Sequence, residues 1–380
     1  MSENANISIA EQADYCSFID GWRGIAILLV VAVHTSQLVG NDGNGIFLFK
    51  YTESFLNSGA RGVQLFYILS AFTLFNSSFR RFKVDSNPRL SFYLRRCFRI
   101  VPLWWLAVVL FCILKKKTLV SGLLNGSFLF GFFRFNPSLE VVPGGWSLFV
   151  EETFYLLLPV IFGKITNLKK ASTFTIALIL LAVVWSGSQY LKLPVPTSND
   201  FVFLFPFNHW YIFGIGIMMY YIIRQHKFQN SIRPDQRWMF DLAAFAGVPV
   251  LITSYLSLIS VMFAFCIYVS SCQGTIFNKI VNSKILMRFG VYCYSIYLLQ
   301  FLVLHYSIPY LKSVFEKIGI QNAVVEVKFI LAFSIVSFLC LIVGFCCFNL
   351  IEKPSVKLGK QVILMINSRI NRKMVLEGLA

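Results

Sequence analysis

The chain has 380 residues, of which 57% are hydrophobic and only 13% are charged, and its formal net charge is +17. Soluble proteins carry about 25% charged residues, so this composition excludes an ordinary soluble domain. The basic residues fall in short segments between long apolar runs, a pattern that sets membrane orientation and excludes a nucleic-acid-binding surface.

The apolar runs predict an all-α fold, a polytopic transmembrane helical bundle of about ten spans. The seventh and eighth spans share one uncharged stretch, where Gly247 and Pro249 could introduce a kink or the chain could reverse at 253–257. The count is therefore nine or ten. The predicted spans are 22–40, 62–79, 100–114, 146–163, 172–187, 201–223, 238–254, 256–272, 289–308 and 328–351.

The distribution of lysine and arginine predicts that both termini are cytoplasmic. With ten spans, twenty-three of the 34 basic residues lie in cytoplasmic segments. Residues 1–21 then form a cytoplasmic segment, 22–351 the membrane domain and 352–380 a basic cytoplasmic tail. The glycine-interrupted stretch 119–133 is predicted to be re-entrant or interfacial.

The first span carries Arg23 and His34, and Asp20 lies just before it. Eleven helical positions at about 100° each place Arg23 and His34 on nearly the same face, about 16 Å apart along the axis. An ionisable residue inside a span is a functional candidate, and imidazole suits a general base. The alternatives are a histidine that only packs against a neighbouring helix and an Asp20 that only pairs with Arg23.

The third span opens with Arg96 and Arg99, which share a helical face because they are three residues apart. Such a pair can hold phosphate groups through bidentate hydrogen bonds. An ordinary positively charged cytoplasmic flank is the alternative interpretation.

The fourth span opens with Trp146 and Ser147, followed by Glu151, Glu152 and Tyr155. Carboxylates in an apolar run are costly unless they have partners. Glu151 could pair with a buried arginine or help to form a site at the outer face. Alternatively, the positive end of the helix dipole could stabilise both carboxylates.

Three weaker signals complete the candidates. Ser70 lies among small residues in the second span, a pattern typical of close helix packing. Tyr297 lies in a polar stripe of the ninth span. The nine cysteines show no metal-binding spacing, so no metal site is predicted.

Together these motifs resemble the acyltransferase 3 family of bacterial membrane acyltransferases over nearly the whole chain. The resemblance rests on Arg23 with His34, on Arg96 with Arg99, and on the segment from Trp146 to Tyr155. The closing segment 351–354 is also similar to the end of that family.

The resemblance implies a multi-pass protein of the bacterial cytoplasmic (inner) membrane with no bound cofactor. It would be an O-acyltransferase, using cytoplasmic acyl-CoA, usually acetyl-CoA, as co-substrate and a hydroxyl of an envelope or lipid-linked glycan as acceptor. It also implies roles for residues. His34 and Glu151 would be catalytic, and donor binding or site architecture would fall to Arg23, Arg96 and Arg99. The predicted supporting residues are Asp20, Trp146, Ser147, Tyr155, Ser70 and Tyr297.

Two departures from the family pattern limit what is carried over. Gln300 stands where relatives often have histidine, and Ala71 replaces the usual glycine after Ser70. The motifs also leave open whether His34 would act as a base or carry the acyl group. A transporter or flippase for a glycan, using Arg23, His34 and Glu151 as a proton or substrate path, is the alternative function. The residues that would choose the acceptor are expected near 41–60, 115–145, 188–200 and 309–327.

Overall fold

A computed structural model of the protein describes residues 16–40, 54, 57–133, 139–188, 199–229, 233–252, 256–320 and 323–376. Within these ranges the chain forms helices joined by turns and contains no β-strand, which confirms the all-α class. The helices of the first half are α1 (Ser17–Gly40), α2 (Gly62–Val84), α3 (Pro88–Leu114), α4 (Leu119–Gly126), α5 (Gly145–Ile161), α6 (Leu168–Gly187), α7 (Asn199–Leu204) and α8 (Trp210–Gln229). Those of the second half are α9 (Arg237–Gly247), α10 (Leu256–Ser271), α11 (Ile276–Val281), α12 (Lys284–Val291), α13 (Cys293–Lys317), α14 (Val325–Cys347) and α15 (Lys353–Leu376).

Several of these helices are apolar and long enough to cross a membrane. Among the described residues, α1, α3, α6 and the continuous helix Val325–Ile370 meet that test, and α12 with α13 would add a fifth despite an 81° bend. The apolar helices within α8 and α10 are shorter. The membrane character is therefore supported, whereas the ten-span count and the cytoplasmic termini remain predictions.

Helix α1 is the most enclosed of the four single long apolar helices. Of the most apolar stretch of α1, 61% is buried inside the bundle, against 22% for α6. Helix α1 packs against α2, α12, α13 and α14. The approach to α12 is close because Gly24 has no side chain: a Cβ there would lie 2.0 Å from the carbonyl oxygen of Leu286. The two glycines that flank Trp22 and Arg23 in sequence thus allow α1 into the centre of the bundle.

The third predicted span, 100–114, is only the second half of α3. The helix begins at Pro88, and the Asn87 side chain caps it by accepting a hydrogen bond from the backbone N–H of Leu90. Proline at the first helical position favours this start, because its missing N–H would have no helical partner there. Arg96 and Arg99 therefore lie within a helix and have fixed directions, rather than in a flexible flank.

The long uncharged stretch is two helices. Helix α9 ends at Gly247, and α10 begins at Leu256 after the 3-10 segment Val248–Ile252. A Cβ on Gly247 would lie 2.1 Å from the Met262 sulfur atom, so the chain has turned back on itself. A reversal, rather than a kinked single helix, is the structure adopted. Residues 253–255 of the proposed turn lie outside the described residues.

The segment 352–380 was expected to be a tail, but the described part of it continues the bundle. A π-helical turn, Phe348–Glu352, joins α14 to α15, and α15 packs against α3. The Ser355 hydroxyl donates a hydrogen bond of 2.6 Å to the carbonyl oxygen of Phe98. The chain end thus braces the helix that carries the arginine pair.

The glycine-interrupted stretch 119–133 forms α4 and a 3-10 turn, Leu129–Gly131. Trp104 of α3 donates its ring N–H to the carbonyl oxygen of Asn125, and the buried Asn125 amide donates to Leu139. The stretch is therefore tied to α3, while its depth in the membrane remains a prediction. Of the segments expected to choose the acceptor, residues 41–53, 55–56, 134–138, 189–198 and 321–322 lie outside the described residues.

Candidate functional site

Arg23 of α1 is held by two neighbours. Its guanidinium donates hydrogen bonds of 3.0 Å to the Asp20 carboxylate, one turn earlier, and of 3.0 Å to the Thr73 hydroxyl on α2. The predicted Asp20–Arg23 pair is therefore present. Thr73, which the sequence analysis did not single out, fixes the direction of the side chain across the α1–α2 interface.

Arg96 and Arg99 of α3 face the same space as Arg23. The Arg96 guanidinium lies 5.8 Å from the centre of the Tyr155 ring, a cation–π distance. Its buried Nε has no hydrogen-bond partner among the described residues. Glu352 and Glu151 are the acidic groups that interact with Arg99. Three cationic side chains from two helices thus converge, and one retains an unused donor.

Ser70, Glu151 and Tyr155 form a cluster of three oxygen groups between α2 and α5. The Ser70 hydroxyl lies 2.6 Å from both the Glu151 carboxylate and the Tyr155 hydroxyl, and Tyr155 also donates to Glu151. An ionised carboxylate only accepts hydrogen bonds, so the hydroxyl protons of Ser70 and Tyr155 must make all three contacts. The proton of Ser70 therefore has a base beside it.

The helix dipole does not account for the two glutamates. Helix α5 begins at Gly145, and its first turn contains no acidic residue. Glu151 lies in the second turn, where the backbone N–H groups already have helical partners. The dipole explanation of these glutamates was wrong, and hydroxyl groups stabilise Glu151 instead. Glu152 points elsewhere, and its buried Oε1 has no hydrogen-bond partner within the described part of the chain.

A cavity of about 100 Å³ joins the arginines to this cluster. The side chains that line it come from α1, α2, α3, α5 and α13, so no single segment contains the site. Its polar lining residues are Arg23, Tyr67, Ser70, Thr73, Arg96, Arg99, Ser147, Glu151, Tyr155, Tyr294 and Tyr297.

Ser147 and Tyr297 close the end of the cavity near the start of α5. Their hydroxyl groups lie 2.6 Å apart, and Tyr297 donates to the carbonyl oxygen of Gly144 at 3.0 Å. Gly144 has a φ of +77°, a left-handed conformation that favours glycine. Trp146 does not line the cavity. It packs against the buried ring of His209, 5.5 Å between centres.

Glu140 holds the turn that precedes α5. It accepts a hydrogen bond of 3.2 Å from the backbone N–H of Trp146. Burial raises the pKa of the Glu140 carboxyl, while Trp146 and the Lys115 ammonium oppose the rise. Burial lowers the pKa of Lys115, and Glu140 opposes that shift in turn. Neither residue stands out in the sequence, and the pair supports the helix that presents Glu151.

His34 does not line the cavity. Its Nδ1 lies 3.3 Å from the Gln37 side-chain oxygen, and its ring packs on Phe301 of α13 at 4.4 Å between centres. Phe301 follows Tyr297 by one helical turn, and a Cβ on Gly144 would lie 3.8 Å from its ring. His34 is therefore separated by one aromatic ring from the Tyr297 end of the cavity.

Glu352 is a site neighbour that received no role from the sequence. It is buried in the π-helical turn, where it accepts a hydrogen bond from Ser295 and interacts with Arg99. The sequence feature that could have indicated Glu352 is the charged pair Glu352–Lys353, which directly follows an apolar run. Among the described residues, His, Cys, Asp and Glu form no group of three that could hold a metal ion.

The chain was compared with known proteins. It is 22% identical over 318 residues to O-acetyltransferase OatA of Staphylococcus aureus (strain NCTC 8325 / PS 47), covering 75% of this chain and 50% of that protein. It is 26% identical over 199 residues to peptidoglycan O-acetyltransferase OatA of Listeria monocytogenes serovar 1/2a, covering 47% and 29%. It is 26% identical over 206 residues to nodulation protein 10 of Rhizobium leguminosarum bv. viciae, covering 47% and 52%.

The two OatA proteins are longer than this chain. The chain spans about half the length of the S. aureus protein that it matches. No solved structure matches it significantly. The family comparison is more extensive, because the profile described as an acyltransferase domain matches residues 17–349, which include every candidate site residue. The resemblance inferred from the motifs is thereby confirmed, and the chain belongs to the acyltransferase 3 family.

Proposed function

We propose that this protein is a membrane O-acetyltransferase that moves an acetyl group from cytoplasmic acetyl-CoA to a hydroxyl of an envelope glycan. The observation that carries the proposal is the single cavity in which three arginines lie beside the Ser70–Glu151–Tyr155 cluster. The arginines can bind an anionic acyl donor there, and the carboxylate of the cluster can accept a proton. The names of the relatives, O-acetyltransferase and peptidoglycan O-acetyltransferase, support the reaction class.

The donor is proposed to bind at the arginine side of the cavity. Coenzyme A is polyanionic, and guanidinium groups bind phosphate through paired hydrogen bonds. Arg99 and Arg96 approach from α3, on the side that the lysine and arginine distribution predicts to be cytoplasmic. Arg23 is already oriented by Asp20 and Thr73, so little side-chain entropy is lost when the donor binds.

The chemical step is proposed to use the two predicted catalytic residues at different ends. Glu151 can take a proton within the cavity. His34 can take the proton of the acceptor hydroxyl where Phe301 separates it from Tyr297. Ser147 and Tyr297 would orient the acceptor through their hydroxyl groups. Trp146 is proposed to act only by packing.

We further propose that the protein lies in the bacterial cytoplasmic membrane with about ten spans and both termini inside. Residues 22–351 would form the membrane-embedded acyltransferase unit, flanked by the cytoplasmic segments 1–21 and 352–380. The enzyme needs no bound cofactor in this scheme, since acetyl-CoA is consumed as a co-substrate. The acceptor is a polymer or lipid-linked glycan of the envelope, such as an O-antigen, a capsule, an exopolysaccharide or peptidoglycan.

Proton NMR of the envelope glycans from cells with and without the gene tests the proposal. Acetyl signals should disappear from one glycan while that glycan is still exported, and they should return with the wild-type gene. Unchanged acetylation would overturn the proposal. Loss of the exported glycan itself would favour a flippase, which purified protein would reveal by failing to bind acetyl-CoA.

A further inference from the structure

The cavity holds a serine whose surroundings are those of an activated nucleophile. The Ser70 hydroxyl is 9% exposed, lines the cavity and lies 2.6 Å from the Glu151 carboxylate. A serine hydroxyl is a weak nucleophile unless an adjacent base takes its proton. Ser77, on the same helix, has no such neighbour, because its hydroxyl donates only to the carbonyl oxygen of Leu74 among the described residues. Ser70 is thus distinguished by its partners and not by its place in a span.

The size of the cavity bears on how many reactants it can hold. Its volume of about 100 Å³ is smaller than the ~150 Å³ cavity that holds one benzene molecule. A small acyl group fits this space. A carrier on the wall of this cavity would let donor and acceptor enter in turn, with the acyl group held on the protein between them.

Donor binding and acceptor binding are also assigned to different ends of the cavity. Arg96 and Arg99 lie at one end, Tyr297 and Ser147 at the other, and Ser70 contacts Glu151 and Tyr155 on the wall. The Arg96 Nε, buried beside the Tyr155 ring without a hydrogen-bond partner, is a donor available for a developing oxyanion.

We propose that Ser70 carries the acyl group as an ester between the two half-reactions. This inference rests on the proposed function and adds a covalent intermediate to it. In the first half, Ser70 Oγ bonds to the thioester carbonyl carbon and Glu151 takes the hydroxyl proton. The carbon–sulfur bond breaks, and the coenzyme A thiolate leaves with that proton as a thiol.

The second half returns the site to its starting state. The acceptor hydroxyl attacks the Ser70 ester and gives up its proton to His34, which then releases it to solvent. The bond to Ser70 Oγ breaks, and the serine oxygen takes up one proton from solvent through Glu151, which replaces the proton that His34 releases. One acyl group has moved from sulfur to the acceptor oxygen, and no oxidant, reductant or further reactant is required.

Peptide mass spectrometry tests the intermediate. The purified full-length protein is incubated with acetyl-CoA without acceptor, quenched in acid and digested. The peptide that contains Ser70 should gain one acetyl group in the wild type and in Ser77→Ala, the control from the same helix. Ser70→Ala should lose at least nine-tenths of the label. Ser70→Cys should be labelled as a thioester that neutral hydroxylamine removes.

The possible outcomes distinguish a failure of the Ser70 carrier from a failure of the proposed acetyltransferase function. An acetyl group found on His34 instead of Ser70 would overturn the carrier, as would an unlabelled wild type that still acetylates the cell-surface glycan. Wild-type rates of glycan acetylation in Ser70→Ala would also overturn it. A wild type that neither becomes labelled nor acetylates any glycan would remove the proposed function itself.

Discussion

The two ends of α1 hold their polar groups in different ways. Arg23 donates hydrogen bonds to Asp20 of α1 and Thr73 of α2 and lines the cavity. His34 instead lies 3.3 Å from the Gln37 side chain and packs on an aromatic ring. A guanidinium that must receive an anion benefits from a fixed direction before the ligand arrives. A base that serves an incoming acceptor needs access, so a looser setting suits it. Two residues on the same face of a helix can therefore have different roles.

The largest effect should come from the cavity carboxylate. Glu151→Gln removes the base but keeps the shape, so glycan acetylation should fall about 1000-fold, within the range of general base catalysis. Glu152→Gln, the adjacent control outside the cavity lining, should remain near the wild-type rate. Acetyl release from the glycan by mild alkali measures both variants. Equal losses in the two would show that Glu151 acts only by supporting the fold.

The next effect tests the other end of α1. His34→Ala should lower glycan acetylation on the order of 100-fold, because the acceptor hydroxyl loses its base. Its label on Ser70 from acetyl-CoA should persist, since only the second half-reaction is blocked. His305→Ala, on the exposed side of α13, is the control. Normal acetylation in His34→Ala at normal protein levels would end the assignment of His34 as a catalytic residue.

A smaller effect should separate donor binding from chemistry. Arg99→Lys keeps the charge but loses the paired hydrogen-bond geometry. We expect about a tenfold higher KM for acetyl-CoA, because one charge-assisted hydrogen bond contributes about 1.5 kcal/mol. Arg95→Lys is the matched control, because Arg95 is paired with Asp85 at 2.6 Å and does not line the cavity. A changed kcat with an unchanged KM would contradict donor binding by Arg99.

The smallest effect should come from the residue that orients Arg23. Thr73→Val preserves the shape but removes the 3.0 Å hydrogen bond to the guanidinium. The Asp20 contact remains, so the KM for acetyl-CoA should rise about threefold, as expected for one hydrogen bond of modest net strength. Thr35→Val removes a comparable buried hydroxyl on α1 that bonds only to Val31 among the described residues. If both valine variants behaved alike, Thr73 would have no specific effect on Arg23.

The sequence by itself determined the class of the protein and singled out most residues of the candidate site. Low charge and long apolar runs exclude a soluble fold, because too few polar groups remain to cover a surface. Arg23, Arg96, Arg99 and Glu151 could be singled out because ionisable groups in apolar runs are costly and need a reason. That reasoning is local, so it works without knowing the packing.

The tertiary structure decided which of these residues share a space. The periodicity of α1 placed Arg23 and His34 on one face, but only the packing of α2 and α13 put one in the cavity lining and the other behind Phe301. Ser70 looked like a packing residue because nothing in its own helix shows the carboxylate that approaches from α5. Contacts between distant segments depend on how helices pack, and a one-helix pattern carries no information about its neighbours.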